Sequence, residues 1–162
     1  MDEQLINTTI PNWLTAFGTV SAVIISLYLS MKDRKFKYYS KASFGTLIIP
    51  HMPRLDTFMI KIVNQSPRPV KITGIIWITR KLFKRNHYFQ IPDDIPYTDS
   101  LPKILEDGQE LILYFRRDAF CKNFTNFQCN SFKLLFSTSS NEEYKIKIDK
   151  ETYKTIKQLI PS

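Results

Sequence analysis

Of 162 residues, 23 are Lys or Arg and 15 are Asp or Glu, a net charge of +8. The length suits one modest domain with an appendage, and 43% hydrophobic content excludes a disordered chain. Four glycines in all exclude a Gly-rich phosphate loop and a dinucleotide fingerprint.

The first element carries no charge. No Lys or Arg precedes Lys32, so the first 31 residues, with Asp2 and Glu3, sum to −2, and 23 bases against 13 acids make the remainder +10. Residues 5–31 are uncharged, with an apolar centre from Trp13 to Met31 that spans about 28 Å as a helix, close to the hydrocarbon thickness of a bilayer. Pro11 and Asn12 suit a helix start, and Trp13 and Tyr28 suit interfacial anchors. Lys32, Arg34, Lys35, Lys37 and Lys41 follow, opposed only by Asp33. A secretory signal begins basic and ends at a small-residue cleavage site, whereas this segment begins Asp-Glu and ends Leu-Tyr-Leu-Ser-Met. The predicted layout is an external tail over 1–12, a transmembrane helix over 13–31, a basic linker over 32–41 and a cytoplasmic domain over 42–162. Positive charge on the cytoplasmic side places the chain in the inner membrane as a single-pass protein, N-terminus outside. Gly18, Ala22, Ser26 and Ser30 recur every fourth residue, beside Thr15 and Thr19. Such a stripe lets helices approach closely in lipid and predicts a homo-oligomer, with chance register as the alternative.

Beyond Tyr38 short alternating segments predict strands at Ser43–Ile49, Asp56–Asn64, Val70–Phe83, Gln109–Phe115, Ser131–Ser137 and Glu143–Ile148. In the second, Phe58, Ile60 and Ile62 share a face opposite Lys61; in the third, Val70, Ile72, Ile76 and Ile78 share one. Turn signals separate them at Asn64-Gln65-Ser66-Pro67, Pro92-Asp93-Asp94, Asp107-Gly108 and Ser137–Asn141. Asp149 suits the cap of a helix over Lys150–Ile160 with Tyr153, Ile156, Leu159 and Ile160 on one face, and Asp118–Phe124 suits a short helix between strands. The fold expected is an N-terminal transmembrane α-helix followed by a mainly-β domain, a sandwich or small barrel of six or seven strands, with a C-terminal helix.

Catalytic constellations are not evident. Cys121 and Cys129, with only His51 and His87 in the chain, match no zinc spacing, and no nucleophile signature flanks either cysteine. The acids at Asp93-Asp94-Asp99 and Glu106-Asp107-Glu110 suit solvated turns better than an acid–base pair. The expectation is a protein that is not an enzyme and needs no cofactor or metal. The positive signal is Arg80-Lys81-Leu82-Phe83-Lys84-Arg85-Asn86-His87-Tyr88-Phe89, whose cations suit phosphate and whose aromatics suit a base. Arg116-Arg117 is a second candidate, because the guanidinium fork matches phosphate geometry. The candidate ligand-binding residues are thus Arg80, Lys81, Lys84, Arg85, Arg116 and Arg117. The competing reading gives these charges to a solvated hairpin or to anionic lipid headgroups. No motif for sequence-specific nucleic-acid binding is present.

The run Pro11-Asn12-Trp13-Leu14-Thr15-Ala16-Phe17-Gly18-Thr19-Val20, the span after it and Lys32-Asp33-Arg34-Lys35 resemble small bacterial and prophage-encoded single-span proteins. In many of these a cytoplasmic β-domain follows, with a segment like Val63-Asn64-Gln65-Ser66-Pro67-Arg68-Pro69-Val70-Lys71-Ile72. The layout is also similar to that of cyclic-oligoadenylate-responsive membrane effectors of type III CRISPR antiviral defence. That resemblance implies a soluble domain that binds a cyclic nucleotide and a membrane part that rearranges; no binding residue carries over by position. The alternative is a constitutive inner-membrane interaction protein serving superinfection exclusion, immunity or scaffolding without a small-molecule ligand.

Overall fold

A computed structural model of the chain describes residues 10–33, 36–81, 84–93, 95–125 and 131–160, with the side chains at 10–11, 32–33, 81 and 123–125 outside the description. The chain divides into two compact units, one ending at Phe36 and one beginning at Lys37. The first contains α1 (Ile10–Asp33). Its segment Asn12–Met31 is apolar, and none of it is buried. Twenty residues at 1.5 Å each give about 30 Å, long enough to cross a bilayer. A soluble core helix hides one face, and this helix hides none. Thr19 Oγ1 donates to the carbonyl of Thr15, which satisfies a hydroxyl that lipid could not.

The second unit is built from two antiparallel sheets. The smaller has the order β1 (Tyr38–Leu47), β2 (Leu55–Asn64), β6 (Glu110–Arg116). The larger has the order β4 (Lys84–Gln90), β3 (Val70–Lys81), β7 (Ser131–Thr138), β8 (Glu143–Lys145), with β5 (Lys103–Leu105) also on β3. The sheets stack through aromatic rings: Phe58 of β2 meets Trp77 of β3 at 6.0 Å, and Tyr38 of β1 meets Phe136 of β7 edge-on at 5.1 Å. Ile60, Ile62, Leu111, Leu113 and Phe115 face inward from the smaller sheet, and Ile72, Ile75, Trp77, Leu134 and Phe136 from the larger. Each such side chain contributes about 1.5–3 kcal/mol of burial. The domain is therefore the expected sandwich.

Two helices complete it. Asp149 caps α3 (Lys150–Leu159), accepting from the Glu151 amide. Ile156 and Thr152 are its buried side chains, and Thr152 Oγ1 accepts from the Phe44 amide. Tyr153 stacks on Phe132 at 4.7 Å. The helix α2 (Arg117–Thr125) is pinned by Phe120, whose ring stacks on Phe58 at 4.1 Å and lies 5.6 Å from Trp77. The sandwich edges are laced as well. Ala42 of β1 donates to the Lys147 carbonyl and accepts from the Asp149 amide. At the other side the loop after β4 ties to β6, where Asp99 accepts from the Ile112 amide and Asp93 from the Arg116 amide. These two carboxylates, expected as solvated turn residues, are backbone acceptors that hold a loop in place.

Three local expectations change. β1 begins at Tyr38, five residues before the predicted strand, because Tyr38 packs on Phe136 and Tyr144. A register shift between Ile72 and Gly74 reverses the facing of β3, so Ile72 shares the core with Ile75 and Trp77, while Ile76 and Ile78 lie on the outer face with Leu135. A Cβ at Gly74 would approach Ser137 Oγ to 3.3 Å. Finally β8 stops at Lys145: the Ile146 amide still donates to the Leu134 carbonyl of β7, and beyond it Ile148 pairs with Ala42 of the smaller sheet. The turn read at Asp107-Gly108 is present, with Gly108 at φ +74°, a conformation that favours glycine.

Candidate functional site

The six cations singled out in the sequence fall into two clusters. Arg116 ends β6 and Arg117 opens α2. Antiparallel pairing sets Thr57 across from Arg116, which draws the start of β2 to the same place. The result is an open cleft of about 640 Å³ lined by Arg54, Leu55, Asp56, Arg116, Arg117, Asp118 and Cys121. That volume lies within the range of small-molecule sites, roughly 300–1,000 Å³.

The cleft is held by neighbours that do not neutralise it. The Arg116 amide donates to Asp93 Oδ2 at 2.7 Å, fixing the strand end. The Arg117 guanidinium stands over the Phe44 ring, 4.8 Å from its centroid. Asp56 Oδ1 accepts from Thr46 Oγ1 at 2.8 Å. Among the described residues, ion pairs form only between Lys61 and Glu110 and between Lys103 and Asp99. The three arginines therefore face the cleft without an ion pair to any described carboxylate within 4 Å, although two aspartates line the same wall. Burial pushes the Cys121 thiol up, with Arg117 pulling the other way.

The second cluster is the β3–β4 hairpin. Arg80 and Arg85 are direct cross-strand partners, and Arg80 also pairs with Ser131 of β7. With Ile78 and Lys133 they line a notch of about 50 Å³. At about 10–15 Å³ per water-sized group, the notch takes one phosphate and no nucleoside. Lys84 is exposed at the first position of β4, and the Lys81 side chain lies outside the described residues. Both clusters sit toward the same end of the sandwich, because Trp77 of β3 and Phe115 of β6 flank Phe120 of α2. They line separate cavities.

Arg54, Asp56, Ser131 and Lys133 escaped the sequence because strand pairing alone brings them in. Arg54 is 62 residues from Arg116, and only the β2–β6 register makes them neighbours. Gly18, Ala22, Ser26 and Ser30 all lie on α1, exposed along it. Among the described residues no group of His, Cys, Asp or Glu is placed to hold a metal ion; Cys129 lies outside them.

No family model matches the chain, and no curated protein matches it in sequence. An X-ray structure of a Northeast Structural Genomics Consortium target, SoR45, is similar over 72% of this chain and 84% of its own. Its identity is 13% and its TM-score 0.26, too slight a likeness to bear on fold or function.

Proposed function

We propose that this protein is a non-enzymatic effector anchored in the inner membrane by a single span, with its N-terminus outside. Its cytoplasmic β-domain binds a small phosphate-bearing signal, for which a cyclic oligonucleotide is the class to test. The observation that carries this reading is the cleft of Arg54, Arg116 and Arg117, large enough for a nucleotide and, among the described residues, without an ion-paired carboxylate within 4 Å. The hairpin notch, at about 50 Å³, is too small for that role. The stripe of Gly18, Ala22, Ser26 and Ser30 supports packed helices whose arrangement the ligand biases, perturbing the membrane in antiviral defence. A ligand acts this way only by binding one arrangement better than the other.

The test is titration of the full chain in lipid nanodiscs with cyclic oligoadenylates at physiological salt. Binding tighter than that of linear oligoadenylate of equal charge supports the reading, and no such preference overturns it. A second reading, a constitutive interaction protein of the inner membrane, is favoured by the open edge of β4. There Phe89 is 75% exposed and Ile91, just beyond the strand, 80% exposed. It predicts that every anion titrates alike.

A further inference from the structure

The outer face of the larger sheet, opposite the core, is unlike the rest of the domain surface. Strand register assigns its residues. Arg80 lies between Arg85 and Ser131, Ile78 pairs with Lys133, and Leu135 pairs with Lys145. Before the register shift Lys71 points the same way, since its neighbour Ile72 is fully buried in the core. Among the described strand residues, five cations thus share the face with one acid, Glu143, which pairs with Ser137 at its far end. Like charges placed directly across a ladder, as Arg80 and Arg85 are, oppose sheet pairing. No carboxylate among the described residues reaches Arg80, Arg85 or Lys133 within 4 Å.

The same face exposes apolar groups. Phe89 follows Arg85 and His87 along β4 and is 75% exposed; Ile104, the partner of Lys71 on β5, is 58% exposed. Ile76, Ile78 and Leu135 form a buried floor between them, which keeps the cations at the rim. Cations around a phosphate-sized notch, with exposed Phe89 on the same strand as Arg85 and exposed Ile104 towards the other end of the face, match an anionic bilayer surface. Headgroup phosphates meet the guanidinium and ammonium groups, and the interfacial region takes the apolar side chains. A second copy of the chain would present the same positive face and be repelled.

We propose that this outer face docks the β-domain onto an anionic lipid surface, with a headgroup phosphate in the notch of Arg80, Arg85 and Lys133. The proposal rests on the chain being membrane-anchored and not on the arginine cleft having a ligand. It is tested on the full chain in nanodiscs, with the photo-crosslinking residue p-benzoylphenylalanine in place of Phe89. Discs of phosphatidylcholine with and without phosphatidylserine are compared. The expected result is a lipid adduct in the phosphatidylserine discs that is suppressed in phosphatidylcholine alone and by 0.5 M salt. The same probe in place of Met59, which faces away from the core on the central strand of the smaller sheet, should give little adduct. Each basic side chain near an anionic surface is worth about fivefold in docking. Arg80→Gln with Arg85→Gln should therefore lower the docking equilibrium about 30-fold. Near-ultraviolet circular dichroism reports whether that variant is folded, and the salt arm needs no variant. Equal adducts in both lipids, a crosslink to a second copy of the chain, or no adduct at all would overturn the proposal.

Discussion

Replacing Phe120 with Ala should both destabilise the β-domain and open the arginine cleft. The ring is 1% exposed and lies 4.1 Å from Phe58, 5.6 Å from Trp77, 6.0 Å from Phe44 and 6.5 Å from Phe115. Deleting a buried phenylalanine costs about 3–5 kcal/mol, and four aromatic neighbours put this site near the middle or above, about 4 kcal/mol. Against a typical domain stability of about 5–15 kcal/mol, that is a large share. The segment Lys37–Ser162 contains one tryptophan, Trp77, which touches the deleted ring and so reports the transition by fluorescence. With an m-value near 2 kcal/mol/M, the urea midpoint should fall by about 2 M. Phe120→Leu keeps most of the apolar volume and should cost less than half as much. Because Phe120 fastens α2, the Ala variant should also lose anion binding at urea concentrations where Trp77 is still buried. A loss below about 1 kcal/mol for Phe120→Ala would refute the reasoning: α2, and Arg117 with it, would then be held by something other than this ring.

Three further outcomes follow from named residues. Asn64 is fully buried, its Nδ2 donating to the carbonyls of Arg68 and Leu105 and its Oδ1 accepting from the Ser66 amide. Asn64→Ala should cost about 3 kcal/mol from three lost bonds, and the isosteric Asn64→Asp more at pH 7, since a carboxylate then faces two carbonyls. Thermal melts that rank Asp at or above Ala would contradict that assignment. Burial, and then the hydrogen bond to Glu142, push the Tyr144 phenol up to about 12. A raised folded value means that its contribution is intact below the unfolded value near 10 and is lost as pH rises towards 12. Ring NMR shifts should show that late midpoint, and Glu142→Gln should bring it down. In membranes, Gly18→Leu with Ala22→Leu should reduce crosslinked oligomer severalfold if the small-residue stripe packs helices; an unchanged oligomer population would make the stripe incidental.

The architecture was legible where periodicity is strong. The uncharged run before Lys32 marks α1, and alternation in Asp56–Asn64 places Phe58, Ile60 and Ile62 inward as found. Asp149 could be read as a cap because the local sequence makes it one. The facing of β3 could not be read, since the shift near Gly74 inverts the alternation in the middle of the strand. β4 was hidden because an edge strand with every residue but Gln90 exposed has no alternating pattern to detect. The site was legible only by charge. Arg116-Arg117 stood out as a pair, but their cleft needs Arg54 and Asp56, which strand pairing brings from the start of β2, about 60 residues away. The hairpin cations were visible, yet their neighbours Ser131 and Lys133 depend on the β3–β7 register.

The central claim is that the cleft of Arg54, Arg116 and Arg117 holds a phosphate-bearing ligand. Its most direct test is calorimetric titration of the full chain in nanodiscs with a cyclic oligoadenylate, repeated for two double variants. Each charge-assisted hydrogen bond is worth about 1.5–3 kcal/mol, so Arg54→Gln with Arg116→Gln should weaken binding by about 100-fold or more. Arg80→Gln with Arg85→Gln should leave the affinity within about threefold of the parent, well under one such bond. A ligand indifferent to the first pair and lost with the second would contradict the account.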